Sequence, residues 1–217
     1  MDPKTDAHLQ ELLSNAYILG GAPCSGKSTL AQMLAERRGL AYYQVDDHQE
    51  EHLQRARPQT QPVMCEYRRR DWNNIWMRPA EALLSDLLAL DTERFPFILQ
   101  DLAGHEADGS LLVEGAAVWP KFLDGFPLAR SHVIFMVPTP EFQTAHYQQR
   151  PWIRPILEAC TDPRQAFEHW MKRDELFGAA VASQAATRGF TTIWVGGDTS
   201  VDQLYGQICI QFGFTDE

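Results

Sequence analysis

Short apolar runs along the chain alternate with stretches in which apolar residues recur every three or four positions. Runs bounded by turn residues are typical of buried strands, whereas the longer spacing indicates helices with one buried face. Five runs predict strands, at residues 17–19, 40–45, 110–115, 131–137 and 191–195. A helical pattern at residues 5–14 precedes the first of them. Strands that alternate with helices predict one α/β domain over residues 1–217, with a parallel sheet and right-handed crossovers.

Residues 48–109 contain no clear strand and predict a helical insertion. The apolar positions at helical spacing are Leu83, Leu84, Leu87, Leu88, Phe95, Ile98, Leu99 and Leu102. Pro96 is expected to restart or kink the last helix, because proline lacks the backbone donor that a helix interior uses. A competing interpretation makes residues 97–99 a strand that ends at Asp101. The spacing i, i+3, i+4, i+7 favours the helix.

The second half of the chain also predicts alternating elements. A helix capped by Thr139 runs to about Arg150, and two prolines interrupt residues 150–162. A long helix is expected at 163–188. After the last strand come a loop at 196–200 and a closing helix. The inward residues of that helix are expected to be Val201, Leu204, Ile208 and Phe212.

The turn between the first predicted strand and its helix reads Gly21-Ala-Pro-Cys-Ser-Gly-Lys-Ser28. It matches the phosphate-loop pattern G-x-x-x-x-G-K-[ST], for which the alternative is a chance match in a tight turn. Backbone N–H groups in such a turn, together with a helix N-terminus, favour a bound triphosphate. Lys27 is expected to reach the β- and γ-phosphates and Ser28 to coordinate Mg²⁺. The predicted nucleotide-binding residues of the loop are Gly21, Ala22, Pro23, Cys24, Ser25, Gly26, Lys27, Ser28 and Thr29.

Carboxylates follow two of the predicted strands. Asp46 and Asp47 come after the second strand, and Glu114 ends the third. Ligands bind beyond the carboxyl ends of the strands in open parallel sheets, so these side chains are expected to face the phosphate loop. Glu114 either holds a Mg²⁺-bound water or an acceptor hydroxyl, or is a plain carboxylate at a strand end.

Charge and composition narrow the function classes. The net charge of −10 argues against a general binder of nucleic acid or anionic membrane. No apolar run approaches 18 residues and residues 1–13 lack a signal-peptide core, so we expect a cytoplasmic protein without a membrane partner. The four cysteines lack paired metal-ligand spacing and are expected to be free thiols. Cys24 is either a small neutral filler or, before a helix N-terminus, an oxidisable thiol of lowered pKa.

Three classes of phosphate-loop protein compete. A GTPase is suggested by D-x-x-G at residues 101–104, but no N-K-x-D follows a strand. A mechanical or DNA-handling ATPase needs adjacent acidic residues at a strand end, which only Glu114 approaches. A small-molecule kinase needs a carboxylate opposite the γ-phosphate, an acceptor pocket and mobile cations. Asp46 or Asp47 can supply the carboxylate, and the insertion can supply the acceptor pocket. The cations would be Arg150 and Arg154.

With these features the chain resembles the P-loop small-molecule kinases, which include nucleoside-monophosphate, shikimate, gluconate and adenylylsulfate kinases. The resemblance implies a three-layer sandwich with strand order 2-3-1-4-5. It implies that Asp46 or Asp47 binds Mg²⁺ or accepts the acceptor hydroxyl proton. With Ser28 of the loop motif and Glu114 at its strand end, the metal candidates are Ser28, Asp46 and Glu114.

The same resemblance implies a lid at about 149–163 that carries Arg150 and Arg154, with Arg173 as a later candidate. Residues 196–199 are expected to contact adenine, and Gly197 and Asp198 are the candidates within them. Two features depart from the family pattern. The aspartates adjoin, where shikimate and gluconate kinases have D-x-D. A D-G-F-P sequence at 124–127 stands directly before the fourth strand, and we interpret it as a coincidence.

The residues of the insertion suggest what kind of phosphate acceptor the protein binds. Its arginines outnumber nearby acids and suggest an acceptor with phosphate or carboxylate, unless they form a solvated surface paired with acids. These arginines are Arg55, Arg57, Arg68, Arg69, Arg70 and Arg78. Trp72 and Trp76 either stack on a base or, more simply, pack the core. His48 and His52 line a polar pocket or help in acid–base chemistry rather than bind metal.

The sequence therefore predicts an ATP- and Mg²⁺-dependent phosphotransferase that acts on a small molecule, with a nucleoside or nucleotide favoured. A sugar acid, a cyclic acid or an antibiotic hydroxyl is the alternative acceptor. A nucleotide-binding regulatory ATPase is the alternative class. The chain is expected to be a monomer or homodimer.

Overall fold

A computed structural model describes residues 3–105 and 110–214 and contains one five-stranded parallel sheet at its centre. The strands are β1 (Tyr17–Gly21), β2 (Ala41–Gln44), β3 (Leu111–Gly115), β4 (Val133–Pro138) and β5 (Thr191–Val195). Their spatial order is β2-β3-β1-β4-β5, so the predicted α/β class and strand order are confirmed. The phosphate-loop strand β1 therefore lies in the middle of the sheet, between β3 and β4.

Helices cover both faces of this sheet. They are α1 (Pro3–Ser14), α2 (Lys27–Arg38), α3 (Gln49–Arg55), α4 (Pro62–Tyr67), α5 (Trp72–Trp76), α6 (Ala80–Ala103), α7 (Pro140–Gln148), α8 (Ile153–Glu158), α9 (Pro163–Arg188) and α10 (Val201–Phe212). Successive strand residues point to opposite faces, so Ile18 packs with α1, α6 and α9, while Leu19 packs with α2 and α10. None of the helices within 3–105 and 110–214 is long and apolar enough to cross a membrane.

The insertion is helical over its described part, as predicted, and residues 106–109 at its end lie outside the described residues. Residues 97–99 belong to α6, so the competing strand interpretation is wrong. The expected restart at Pro96 is also wrong, because α6 is one helix of 24 residues. A proline removes one hydrogen bond from a helix. Directly after it, Ile98 packs in the core cluster of the sheet and Phe97 packs against α3 and α4, and this burial holds the helix in place.

Two local differences from the predicted elements affect the site. The second strand ends at Gln44, and residues from Val45 to His48 form a 3-10 turn that carries both aspartates. The region 150–162, expected to be broken by prolines, contains α8. Pro155 is compatible with α8 because it occupies the first turn, where the backbone N–H groups have no partner within the helix.

Candidate functional site

The loop from Gly21 to Ser28 has the backbone that the motif requires. Gly21 has φ +123°, and a Cβ there would lie 2.1 Å from the carbonyl oxygen of Met136. Gly26 has φ +81° directly before α2, and a Cβ on it would meet nothing within 4 Å. The first glycine is thus needed for close strand packing, and the second for the left-handed turn that starts the helix. The loop leaves open space at the N-terminus of α2, where an anion is favoured.

Lys27 lies within this loop rather than in solvent. Its side chain is buried, and its Nζ donates a hydrogen bond to the carbonyl oxygen of Ala22 at 2.9 Å. Ser25 Oγ donates to the same oxygen at 2.9 Å. An ammonium group has three protons to donate, so this contact leaves donor capacity for a phosphate oxygen.

Glu114 connects the phosphate loop to the neighbouring strand β3. This carboxylate is almost fully buried, and its Oε1 accepts a hydrogen bond from Ser28 Oγ at 3.3 Å. Its Oε2 accepts from the Tyr42 hydroxyl at 3.1 Å. Burial raises the pKa of Glu114, and the positive charge of Lys27 opposes the increase. The carboxylate and hydroxyl oxygens that Mg²⁺ prefers are therefore adjacent here.

Asp46 lies beside the end of β3. Its Oδ2 accepts a hydrogen bond from the backbone N–H of Ala116 at 3.2 Å, and its Oδ1 lies 3.9 Å from Arg94 Nη1. Asp47 is exposed on the same turn. The structure thus brings Asp46 to the strand edge that also holds Glu114, whose pKa the charge of Asp46 raises.

Arg94 of α6 stabilises the 3-10 turn that carries Asp46 and Asp47. Its side chain is only 2% exposed, its Nη2 donates to the carbonyl oxygen of Val45, and its Nη1 donates to Gln49 Oε1 at 3.4 Å. Its Nε donates to His52 Nδ1 at 3.0 Å. The buried guanidinium of Arg94 therefore lies among four acceptors of one segment, which belong to Val45, Asp46, Gln49 and His52.

The network continues through His52 to Asp101. Because Nδ1 of His52 accepts from Arg94, its Nε2 carries the proton and lies 2.6 Å from Asp101 Oδ2. Tyr43 and Arg55 also donate to Asp101, at 2.8 and 2.7 Å. Burial lowers the pKa of His52, and the ring is neutral because an Nδ1 that accepts from Arg94 carries no proton. Asp101, part of the apparent GTPase motif, is fully engaged by these donors.

The two predicted lid arginines differ in their surroundings. Arg150 lies near the phosphate loop, where burial raises the pKa of Cys24 and the charge of Arg150 partly opposes the increase, and its guanidinium packs 5.1 Å from the ring centre of Tyr147. Arg154 is 82% exposed and pairs with Glu158 at 2.7 Å. Of the two, Arg150 is therefore the one whose charge acts on the phosphate loop.

The predicted lid segment contacts the insertion. The backbone N–H and the hydroxyl of Thr161 both donate to Asn73 Oδ1, at 2.8 and 3.0 Å. The Cys160 thiol donates to the carbonyl oxygen of Trp72 at 3.5 Å. Residues of α5 and of the segment after α8 are thus joined by hydrogen bonds.

The loop after β5 lies next to the end of β4. The backbone N–H of Thr139 donates to the carbonyl oxygen of Val195 at 2.9 Å, and Gly197 follows with φ +90°. Gly197 and Asp198 are both exposed. They lie at the carboxyl edge of the sheet, and their contact with adenine stays a prediction.

The cysteines are free thiols among the described residues, and Cys24 is not an activated one. Burial raises the pKa of Cys24, and the charges of Arg150 and Lys27 do not offset this. Of the two alternatives for Cys24, the raised pKa therefore favours the small neutral filler over the oxidisable thiol. Within the described part of the chain, no three His, Cys, Asp or Glu side chains form a metal cluster. Mg²⁺ does not require one, because it commonly uses one or two protein ligands with water and phosphate.

Several insertion arginines are paired with acids. Arg55 contacts Asp101, while Arg70 and Arg78 share Asp86. The pairing favours the alternative of a surface neutralised by nearby carboxylates for these three side chains. Separately, Asp124 of the D-G-F-P sequence pairs with Arg188, which ends α9 just before β5 begins. That pair lies toward the amino-terminal edge of the parallel sheet, away from the phosphate loop.

Sequence reasoning missed two buried charges on α6. Arg94 and Asp91 are both nearly inaccessible, and Asp91 Oδ2 accepts from the indole N–H of Trp119 at 2.8 Å. Both residues fall on the helix face that also buries Leu90 and Phe97. A charge on an apolar helix face must be paired, and that pattern is the signal that could have identified them.

Comparisons with known proteins give distant likenesses. No known protein family and no curated protein matches this sequence. An uncharacterized protein from Eubacterium ventriosum aligns with 93% of this chain and 99% of its own, at 16% identity and a TM-score of 0.47. A protein from Chloroflexus aurantiacus, described as "a putative kinase", aligns over 91% of this chain and 98% of its own, at 14% identity and a TM-score of 0.42. At these scores neither likeness carries an argument about function.

Proposed function

We propose that this protein is an ATP- and Mg²⁺-dependent phosphotransferase that moves the γ-phosphate to a hydroxyl of a small metabolite, with a nucleoside or nucleotide favoured. The observation that carries the proposal is the hydrogen bond from Ser28 to Glu114. It joins the phosphate loop to a buried carboxylate on the neighbouring strand. Bound Mg²⁺ would neutralise charge on the phosphates and help to position them.

The surrounding residues have distinct roles in this proposal. Lys27 and the loop N–H groups bind the phosphates, and Ser28 with Glu114 holds the cation directly or through water. Asp46 or Asp47 accepts the proton of the acceptor hydroxyl. The hydroxyl oxygen forms the new bond to the γ-phosphorus as the bond to the bridging oxygen breaks, which releases ADP. Arg150 supplies positive charge to the transferring group.

A cavity between the insertion helices and α9 supports a kinase over a regulatory ATPase. Hydrolysis needs only a positioned water, whereas transfer to a metabolite needs a cavity beside the phosphate loop. Gln49 and Tyr147 line a cavity, and Tyr147 belongs to an apolar cluster against which Cys24 of the loop packs. A sugar acid, cyclic acid or antibiotic hydroxyl is the alternative acceptor.

Acceptor-dependent ADP release tests the proposal. The purified protein, with ATP and Mg²⁺, is screened against nucleosides, nucleotides, sugar acids and aminoglycosides. A kinase releases ADP faster with one acceptor class, whereas slow hydrolysis that no metabolite changes would indicate the regulatory ATPase.

Asp46→Asn and Asp47→Asn then test the proton acceptor. One of the two is expected to lower kcat at least about a hundredfold while the Kd for ATP changes little. Equal loss of ATP binding with intact turnover would refute the assigned role.

A further inference from the structure

The outer edge of strand β5 is open. The strand lies at one end of the sheet and pairs only with β4 within residues 3–105 and 110–214. The inner strands β1, β3 and β4 are buried along almost their whole length, whereas in β5 only Val195 is buried. An edge strand leaves backbone N–H and C=O groups without ladder partners, and these groups can pair with another chain.

The edge of β5 lacks the features that commonly protect an edge strand, which are charged residues and proline. Residues 189–197 read GFTTIWVGG and contain neither. The other edge strand, β2, is shorter and is followed by Asp46 and Asp47. Trp194 of β5 is 56% exposed. An exposed tryptophan on an unprotected edge is typical of a protein contact surface, because tryptophan often carries much of the binding energy of an interface.

The direction of the free backbone groups follows from the pairing with β4. The backbone N–H of Thr139 donates to the carbonyl oxygen of Val195, so Val195 points its backbone groups toward β4. This direction alternates from one strand residue to the next, so Thr192 and Trp194 point theirs outward. Antiparallel pairing of two copies about an axis at Ile193 places Thr192 of one opposite Trp194 of the other. Each opposed pair then exchanges both of its hydrogen bonds.

The side chains match in the same register. Trp194 is the neighbour of Val137 in the ladder with β4, and Val137 packs in the cluster that contains α9 residues. Trp194 and Thr192 therefore both lie on the α9 face of the sheet, since side chains alternate along a strand. An aromatic ring directly opposite a β-branched residue stabilises an antiparallel pair. The pairing would thus cover the exposed Trp194 as well as the backbone edge.

Opposite charges lie at the two ends of β5. A Cβ on Gly189, before the strand, would lie 3.4 Å from Arg130 Nη1, and Arg130 is exposed. Asp198, after the strand, is exposed as well. The register about Ile193 brings Gly189 of one copy opposite Gly197 of the other, so each Arg130 lies near an Asp198. Complementary charges of this kind favour one register over others.

We propose that β5 is a dimerisation surface, at which two copies of this chain pair antiparallel about Ile193 and form one continuous sheet. The contact is isologous, because the same surface of both copies takes part and the two-fold axis closes it. Trp194 is the main side-chain contact, and Arg130 with Asp198 sets the register. The inference goes beyond the proposed function and does not depend on it, since the pairing requires neither ATP nor an acceptor.

Sedimentation velocity of the full chain without nucleotide measures the association. We expect a dimer with a Kd in the micromolar range or below. Trp194→Lys should weaken association at least about tenfold, because it removes the aromatic contact and places two like charges beside the axis. Ile210→Lys is the matched control, since Ile210 is an exposed apolar residue of α10. It should leave the Kd unchanged.

Cysteine cross-linking tests the register. At the axis the two Ile193 residues form a pair whose Cα atoms are about 4.5 Å apart, which a disulfide can span. Ile193→Cys treated with diamide should therefore yield a covalent dimer, as diamide takes up two electrons and two protons from the thiol pair. Ile210→Cys and the wild type, in which Cys65, Cys160 and Cys209 are buried, should not.

Charge reversal gives a check that does not depend on either of these variants. Arg130→Glu should weaken the dimer, and the addition of Asp198→Arg should restore it. A wild type that is monomeric throughout, a folded Trp194→Lys that dimerises like the wild type, or no faster cross-linking of Ile193→Cys than of Ile210→Cys would each overturn the proposal. Failure of the double charge reversal to restore dimerisation would refute the register. Acceptor-dependent ADP release by a monomer would retain the kinase and refute the dimer alone.

Discussion

Replacing Arg94 should destabilise the fold and disturb the aspartate turn together. Its guanidinium is buried and donates to Val45, Gln49 and His52, with Asp46 nearby. Arg94→Met keeps an unbranched apolar stem but removes every donor. The Val45 carbonyl oxygen and the Nδ1 of His52 would then be left without the partner they have now.

The expected cost follows from these lost contacts. A buried acceptor left unsatisfied costs about 1–3 kcal/mol, so the Val45 oxygen and the His52 nitrogen together give about 2–6 kcal/mol. The Asp46 side chain is 45% exposed, and water can replace its weak contact at 3.9 Å. We therefore expect Arg94→Met to lower the free energy of unfolding by about 3–5 kcal/mol.

Urea denaturation followed by circular dichroism measures this change. Arg57→Met is the matched control, because Arg57 is exposed on the same insertion and its substitution should alter stability by less than about 0.5 kcal/mol. Where the variant remains folded, kcat should fall more than the affinity for ATP, since the turn carrying Asp46 is no longer held. Stability within about 0.5 kcal/mol of the wild type would refute the role assigned to Arg94.

Three further perturbations test other parts of the site. Burial raises the pKa of Asp91 to about 6, so its folded-state penalty is absent below about pH 4 and fully present above about pH 6. Asp91→Asn should therefore be more stable than the wild type by about 1–3 kcal/mol at pH 8, and the difference should disappear below about pH 4. Glu114→Gln should raise the Mg²⁺ concentration for half-maximal turnover at least about tenfold. Removal of the Ser28 hydroxyl should have the same effect. Arg150→Ala should lower kcat at least about a hundredfold and more than Arg154→Ala does, because Arg154 is exposed and paired with Glu158.

Each of these predictions has a result that would contradict it. Denaturation of Asp91→Asn across pH would refute the burial argument if the stability difference did not change between pH 4 and 8. Glu81→Gln controls for loss of a carboxylate from the same helix. Mg²⁺ titration of Glu114→Gln contradicts the metal role if the half-maximal concentration is unchanged. Equal turnover of the two arginine variants would contradict the unequal placement of Arg150 and Arg154.

The sequence could predict the strands of the sheet and the glycine turns of the loop at 21–28 because both are encoded locally. Apolar runs marked all five strands, and the resemblance supplied their order. The glycines at positions 21 and 26 have the positive φ angles that the loop motif needs. Glu114 was also predicted, since a carboxylate that ends a strand in a parallel sheet lies at its ligand-binding edge.

The buried ionic groups could not be predicted in the same way. Arg94 donates hydrogen bonds to residues more than 40 positions earlier in the chain. Arg70, which follows α4, donates to Asp86 of α6. Such pairings depend on tertiary packing and are not visible in the sequence. The excess of insertion arginines therefore suggested an anionic acceptor, although several of these arginines are already paired with carboxylates. Local periodicity likewise could not decide whether Pro96 ends a helix, because burial of the surrounding residues is a property of the whole fold.

Transfer of radiolabelled γ-phosphate from ATP by wild type and Lys27→Ala tests the central claim most directly. The Ala22 carbonyl oxygen keeps its hydrogen bond from Ser25 when Lys27 is removed, so the fold should stay intact, while transfer and tight ATP binding should both be abolished. We predict labelled product from the wild type with an acceptor found in the screen, and at least about a thousandfold less from the variant. Near-normal transfer by a folded Lys27→Ala protein would contradict the account.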